Sequence, residues 1–157
     1  MNEDFFSDEY FMRKALQQAE RAAEAGEVPV GAVVVVDGVI VGRAGNQVEM
    51  LKDATAHAEM IALTQAMAER HDWRLDNATL YVTKEPCAMC AGAMVNCKLK
   101  RVVFALPDPK YGACGSALDV TGFPGMLWRV EVTSGILAEE SRALIQQFFK
   151  NVRNKKS

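Results

Sequence analysis

Long apolar runs are missing from this chain of 157 residues. The longest, Val28 to Val36, is too short to cross a bilayer as a helix. The opening, MNEDFFSDEY, is acidic and has no apolar core, so it does not read as a secretion signal. A strong charge of either sign is also lacking. The net charge is −2, which gives no global support to a nucleic-acid partner. Histidine is scarce, with two copies, and so is cysteine, with four: Cys87, Cys90, Cys97 and Cys114. So few cysteines in a chain without a secretion signal read as thiols or metal ligands in a reducing cytoplasm, not as a disulfide framework. Half the residues are apolar and no segment is of low complexity, so a single globular domain over residues 1–157 is expected. Charge is unevenly spread. Glu3, Asp4, Asp8 and Glu9 crowd the start, whereas KNVRNKKS at the end carries Lys150, Arg153, Lys155 and Lys156 and no acid. The plain reading of that end is a solvated helix tip.

The periodicities present alternate between strand and helix. Ser7 with Asp8 and Glu9 opens a helix whose apolar face runs from Met12 to Ala23, with Gly26 as its stop. VPVGAVVVV reads as a strand covered on both faces, and Asp37-Gly38 turns it into a returning strand, VIVG. A helix over Thr55–Arg70, a strand over Ala78–Thr83, a short helix over Ala88–Cys97 and a strand over Arg101–Ala105 follow. Leu106 to Leu127 is irregular and rich in glycine and proline, with a short helix expected near Ala117–Val120. Loops of that length inside a compact domain are usually functional. Trp128–Thr133 reads as a fifth strand, and a last helix puts Leu144, Ile145, Phe148, Phe149 and Val152 together. This order predicts a three-layer α/β/α fold around a five-stranded mixed sheet, with parallel strands across the two helical crossovers.

In such a sheet, helices that follow strands begin at the strands' carboxyl edge, where ligand sites gather. TAHAE opens one helix there and EPCAMC the next, so His57 and the pair Cys87 and Cys90 can converge. At spacing i, i+3 the two cysteines face one way on the first helical turn, whose free amides favour thiolates. Two thiolates and one imidazole suit Zn²⁺ and leave its fourth position for water, a catalytic arrangement. Two thiolates also cancel the ion's charge and leave that water less acidic, so a nearby base is useful, and Glu59 can supply it. Positions i and i+2 of an ideal helix point about 200° apart, so the arrangement needs His57 at the very start of its helix. Taken singly, the cysteine pair could be a redox motif, His57 a core residue and Glu59 a solvated one. A closed structural site would draw its fourth ligand from Cys97 or Cys114. By default Cys97 is a small buried hydrophobe.

HAE with PCAMC matches the H-x-E…P-C-x-x-C signature of the zinc-dependent cytidine deaminase superfamily. Within it the chain resembles the bacterial tRNA-specific adenosine deaminases nearly end to end. The likeness runs through EVPVGAVVV, Asn46, TAHAE, ATLYVTKEPCAMCAGAM, RVVFA, the D-P-K-Y-G-A-C-G-S loop, FPGM, GILAEE and FFKNVR. The resemblance implies a cytidine deaminase-like fold, one Zn²⁺ per subunit on His57, Cys87 and Cys90, and Glu59 as proton shuttle. It implies attack of zinc hydroxide on C6 of the wobble adenosine in a tRNA anticodon stem-loop, that of an arginine tRNA, to give inosine. It also implies a homodimer, with Asn46 holding the target nucleotide and Asp108, Lys110 and the helix bearing Phe149, Lys150 and Arg153 near the anticodon. Phe149 could offer a stacking surface beside charges for phosphate. Two departures stand out. Ala54 replaces the proline usual before TAHAE, which should loosen that turn, and Leu106, Pro107 and Pro109 stiffen the surroundings of Asp108. A deaminase of free guanine or cytosine would share the zinc chemistry, and a zinc-stabilised binding module would have no use for Glu59.

Overall fold

The computed structural model describes residues 7–156; Glu3 and Asp4 of the acidic opening lie outside them, as does the side chain of Lys156. The elements are α1 (Asp8–Glu24), β1 (Gly31–Val36), β2 (Val39–Gly45), α2 (Val48–Leu51), α3 (Ala58–Arg70), β3 (Ala78–Lys84), α4 (Ala88–Asn96), β4 (Arg101–Leu106), β5 (Glu131–Ser134) and α5 (Ala138–Lys156). The five strands form one mixed sheet in the order β2-β1-β3-β4-β5. β1 runs antiparallel to both β2 and β3, and β3, β4 and β5 run parallel. The crossover through α3 therefore joins parallel strands with β1 between them, and the crossover through α4 joins parallel neighbours.

Alternation along the strands sorts side chains into two cores. Ala32, Val34, Val36, Leu80, Val82, Val102 and Phe104 face α3 and α4, where Ala62, Leu63, Ala66, Ala91 and Met94 meet them. Val33, Val35, Tyr81, Val103 and Ala105 face Phe11, Met12 and Ala15 of α1. Because β1 is sandwiched, all six of its residues are buried, which is why its apolar run is unbroken. Both Asp37 and Gly38 have positive φ, as the tight turn into β2 requires. Gly31 answers to packing: a Cβ there would stand 2.1 Å from the Ala15 carbonyl oxygen, so only glycine lets α1 lie this close to β1.

At the amino end of the parallel strands, a polar cluster fastens α1 to the sheet. Asp8 accepts two hydrogen bonds from the Arg101 guanidinium at 2.8 and 2.7 Å and one from the Tyr81 hydroxyl at 2.8 Å. Arg101 also donates to Thr133 Oγ1 at 2.8 Å, reaching β5. Arg101 holds the Asp8 carboxyl below the ordinary range against the opposing effect of partial burial.

Three segments differ from the sequence expectation. No helix forms over Ala117–Val120. Asp119 instead pairs with Cys114 in an isolated bridge, and its carboxylate accepts the Gly122 amide at 2.9 Å, closing a turn. The fifth strand starts at Glu131 and not at Trp128, because the Trp128 indole turns inward to donate to the Leu99 carbonyl at 2.7 Å. The single-turn helix α2 is too short to leave a periodic signal. Its N-cap, Gln47, makes no side-chain cap, and the buried carboxylate of Glu27, in the connection between α1 and β1, does that work by accepting the Glu49 and Met50 amides at 2.9 and 2.7 Å. No helix among the described residues is long and apolar enough to cross a membrane.

Candidate active site

At the carboxyl edge of the parallel strands, the starts of α3 and α4 face one another. His57 is the N-cap of α3, with extended backbone (φ −73°, ψ 150°), and Cys87 is the N-cap of α4, also extended (φ −75°, ψ 177°). His57 thus stands just outside the helix and Glu59 within its first turn, which removes the obstacle of two residues on opposite helical faces. A turn sets His57 in place. Asp53 Oδ1 accepts the Thr55 amide and hydroxyl at 2.8 and 2.7 Å, and the Gln47 amide donates to the Ala56 carbonyl at 2.9 Å. Asp53 thereby restrains the turn in which Ala54 stands, and Ala54 itself is exposed.

The His57 Nδ1 atom lies 3.7 Å from Cys87 Sγ and 3.6 Å from Cys90 Sγ. Two donors about 2.3 and 2.0 Å from one tetrahedral ion would sit roughly 3.5 Å apart. All three donor atoms fall within 4.8 Å of one another, and among the described residues this is the group able to hold a metal ion. Thiolate and imidazole are the donors that Zn²⁺ takes, so the residues fit that ion. Neither Cys97 nor Cys114 belongs to the group. Both are buried, and Cys97 Sγ points at the Met94 carbonyl at 3.5 Å. The Cys90 thiol and the His57 ring beside it pull the Cys87 thiol down to about 3, while the neighbouring Cys87 sulfur and burial push Cys90 up. Contact with Cys87 raises the His57 imidazole.

Glu59 is 4 % exposed, and burial raises its carboxyl above the ordinary range. A cavity of about 370 Å³ opens onto it, within the size range of small-ligand sites. Val28, Val30, Ala58 and Tyr111 give it apolar walls, and Asn46, His57, Glu59, Lys84, Cys87 and Asp108 give it polar ones. Of the site residues expected from sequence, Asn46, His57, Glu59, Cys87 and Asp108 line this one cavity, with Cys90 buried behind. Lys110 is exposed next to the lining residue Tyr111. Phe149, Lys150 and Arg153 do not line it. They lie on α5, where the ring of Phe149 is 43 % exposed and meets the half-buried Phe148 edge-on at 5.2 Å.

Sequence reasoning missed Lys84, Tyr111 and two braces, Glu27 and Glu85. Glu85 is buried and gathers the loop after β4. Its Oε1 accepts the Asp108 amide at 3.0 Å and the Ser116 hydroxyl, and its Oε2 accepts the amides of Cys114 and Ser116 at 3.0 and 3.2 Å. Gly112 must be glycine here, since a Cβ would come within 2.3 Å of the Glu85 carboxyl carbon. The signal for Glu85 was its place between a buried strand and Pro86, where a solvated acid is not expected. Asp108 in turn accepts the Lys110 and Tyr111 amides on Oδ1 at 3.0 and 3.1 Å and pairs through Oδ2 with Lys84 at 3.2 Å. Burial opposes ionisation of Asp108, but the two amides and Lys84 outweigh it and hold the carboxyl low.

Residues 6–153 match the MafB19-like deaminase family. The chain is 44 % identical over 149 residues to the tRNA-specific adenosine deaminase of Bacillus subtilis, covering 95 % of this chain and 92 % of that protein. It is likewise 44 % identical to the enzyme of that name from Aquifex aeolicus, covering 93 % and 96 %. The chain belongs to this deaminase family. A solved structure from a study of A-to-I editing by tRNA:A34 deaminases at the wobble position superposes with a TM-score of 0.83 at 40 % identity, covering 86 % of this chain and 98 % of that one. The guanine deaminase of Nitrosomonas europaea superposes with a TM-score of 0.79 over 90 % of this chain, but at 23 % identity that likeness is one of fold.

Proposed function

We propose that this protein is a zinc-dependent deaminase that converts the wobble adenosine of a tRNA anticodon, that of an arginine tRNA, to inosine. The observation that carries the reading is the meeting of His57, Cys87 and Cys90 beside a cavity that His57, Cys87 and the buried carboxylate Glu59 line. Relatives of that name along nearly the whole chain support the substrate.

In this reading His57, Cys87 and Cys90 hold one Zn²⁺ per subunit, which when bound supplies the Lewis acidity that makes water a nucleophile near neutral pH. Glu59 takes a proton from the attacking water and delivers it to the ring nitrogen of adenine, and later passes a proton to the departing ammonia. Adenosine and water thus become inosine and ammonia. Burial suits Glu59 to carry that proton. The Asn46 carboxamide orients the target nucleotide, and the apolar walls hold the base against water. Asp108 and Lys110 meet the adjoining anticodon loop, whose bases can be splayed out singly. Phe149, Lys150 and Arg153 of α5 meet RNA outside the cavity. The protein works in the cytoplasm as a homodimer. The small-residue run CAGAM of α4 is compatible with close packing against a second copy but does not require one.

The test is Glu59→Ala, assayed for inosine in an anticodon stem-loop and for bound metal. The expected result is loss of turnover, on the order of a thousandfold, with zinc retained. Zinc lost together with activity would make Glu59 a ligand, and turnover of free guanine in place of the stem-loop would make the protein a base deaminase.

A further inference from the structure

A target base in the cavity leaves its sugar, its phosphates and its neighbouring nucleotides at the mouth. Two side chains stand there without an assigned task. Lys84, the last residue of β3, is the one lysine or arginine that lines the cavity among the described residues. Its side chain is 33 % exposed, and its ammonium has further donors beyond the one turned to Asp108. Tyr111 also lines the cavity, yet it is 72 % exposed, and among the described residues no hydrogen bond or ring contact engages its ring or hydroxyl. An aromatic ring left in solvent at the rim of a nucleotide site has a face available to a base.

Asp108 fixes the two relative to each other. One carboxylate oxygen holds the Tyr111 amide at 3.1 Å and the other holds the Lys84 ammonium at 3.2 Å. Glu85 anchors Asp108 in turn through its amide at 3.0 Å. The Tyr111 backbone and the Lys84 cation are therefore held side by side at the mouth by a buried bracket, which lowers part of the ordering cost of binding. Lys84 also offsets the negative charge that Asp108 would otherwise present to an approaching phosphate.

We propose that Lys84 and Tyr111 form a subsite for a nucleotide adjoining the target adenosine, the Tyr111 ring stacking on its base and the Lys84 ammonium binding its phosphate. This rests on the reading of the protein as an RNA deaminase. It adds single-stranded context on one side of the target as something the chain itself selects.

The experiment measures binding and inosine formation with an anticodon stem-loop carrying adenosine at the wobble position, and with two versions made abasic at either flanking position. Wild type must first produce inosine from the intact stem-loop; if it does not, the functional reading fails and not the subsite. Tyr111→Ala should weaken binding about tenfold, and Tyr111→Phe should restore it. One of the abasic stem-loops should lose a similar factor with wild type and nothing more with Tyr111→Ala, since the two changes delete the same contact. Losses that multiply at both flanking positions, or a Tyr111→Phe variant as weak as Tyr111→Ala, would overturn the stacking role. Lys84→Met should lower the slope of log affinity against log salt by about 0.7, and Lys84→Arg should retain it. The same drop should appear in an Asp108→Asn background. A Lys84→Met change that is silent in that background would mean that the lysine serves Asp108 alone, and would overturn the phosphate contact.

Discussion

Replacing Glu85 by alanine removes the acceptor for four donors of the loop after β4. Ser116 is exposed, so its amide and hydroxyl can turn to water. The amides of Asp108 and Cys114 belong to buried residues and bond to Glu85 at 3.0 Å each. At about 1–3 kcal/mol for each stranded buried group, and with some water admitted from the loop side, the cost is about 2–4 kcal/mol. For a chain of this length 1 kcal/mol moves the midpoint by about 2–4 °C, so Tm should fall on the order of 10 °C, read by circular dichroism. Gly112→Ala supplies the internal control. Its new Cβ would collide with the Glu85 carboxyl carbon at 2.3 Å and with the Asp108 carbonyl oxygen at 2.5 Å. Removing Glu85 relieves the first collision, so the double variant should be less destabilised than the sum of the singles, a coupling that a double-mutant cycle measures. Because the loop carries Asp108 and Tyr111, turnover on RNA should fall with it. A Glu85→Ala protein melting within about 2 °C of wild type, or strict additivity with Gly112→Ala, would refute the brace.

Asp8→Asn should lower the unfolding temperature at pH 7. Arg101 holds the folded carboxyl below its ordinary value of 3.8, so its contribution is present above that pH and is lost as pH falls through the folded value; the gap between variant and wild type should close over that acid range. A gap independent of pH would mean that packing, not ionisation, accounts for the loss. Substituting both Lys150 and Arg153 should weaken stem-loop binding and flatten its salt dependence by about 1.4 in slope. An unchanged slope would put the RNA elsewhere than α5.

The architecture could be read from sequence because every strand and every helix but α2 carries its own period. The unbroken run of β1 announced a strand buried on both faces, and Asp37-Gly38 fixed the hairpin. The convergence of His57 with Cys87 and Cys90 followed from topology, since helices after strands start at one edge. What could not be read depends on distant partners. VEML is too short to show a period, and beyond a long local bond from the Val48 amide to Asn46 its first amides are capped by Glu27, two elements earlier. Trp128 looks like a strand residue until the Leu99 carbonyl is in place. Lys84 and Glu85 sit at the end of an apolar strand: the place of Glu85 before Pro86 hints that it is not solvated, but neither its nest of amides nor the turn of Lys84 to the cavity mouth is written there.

The knot of Asp8, Tyr81, Arg101 and Thr133 gives the two ends of the sheet different freedoms. It cross-ties the first helix and three strands at the end away from chemistry, a fastening separate from the segments around the cavity. Sequence change can then accumulate in the long excursion between β4 and β5, outside the residues Glu85 gathers, without the frame drifting. A lineage with this floor plan can change which RNA it accepts while leaving the corner of His57, Cys87 and Cys90 untouched.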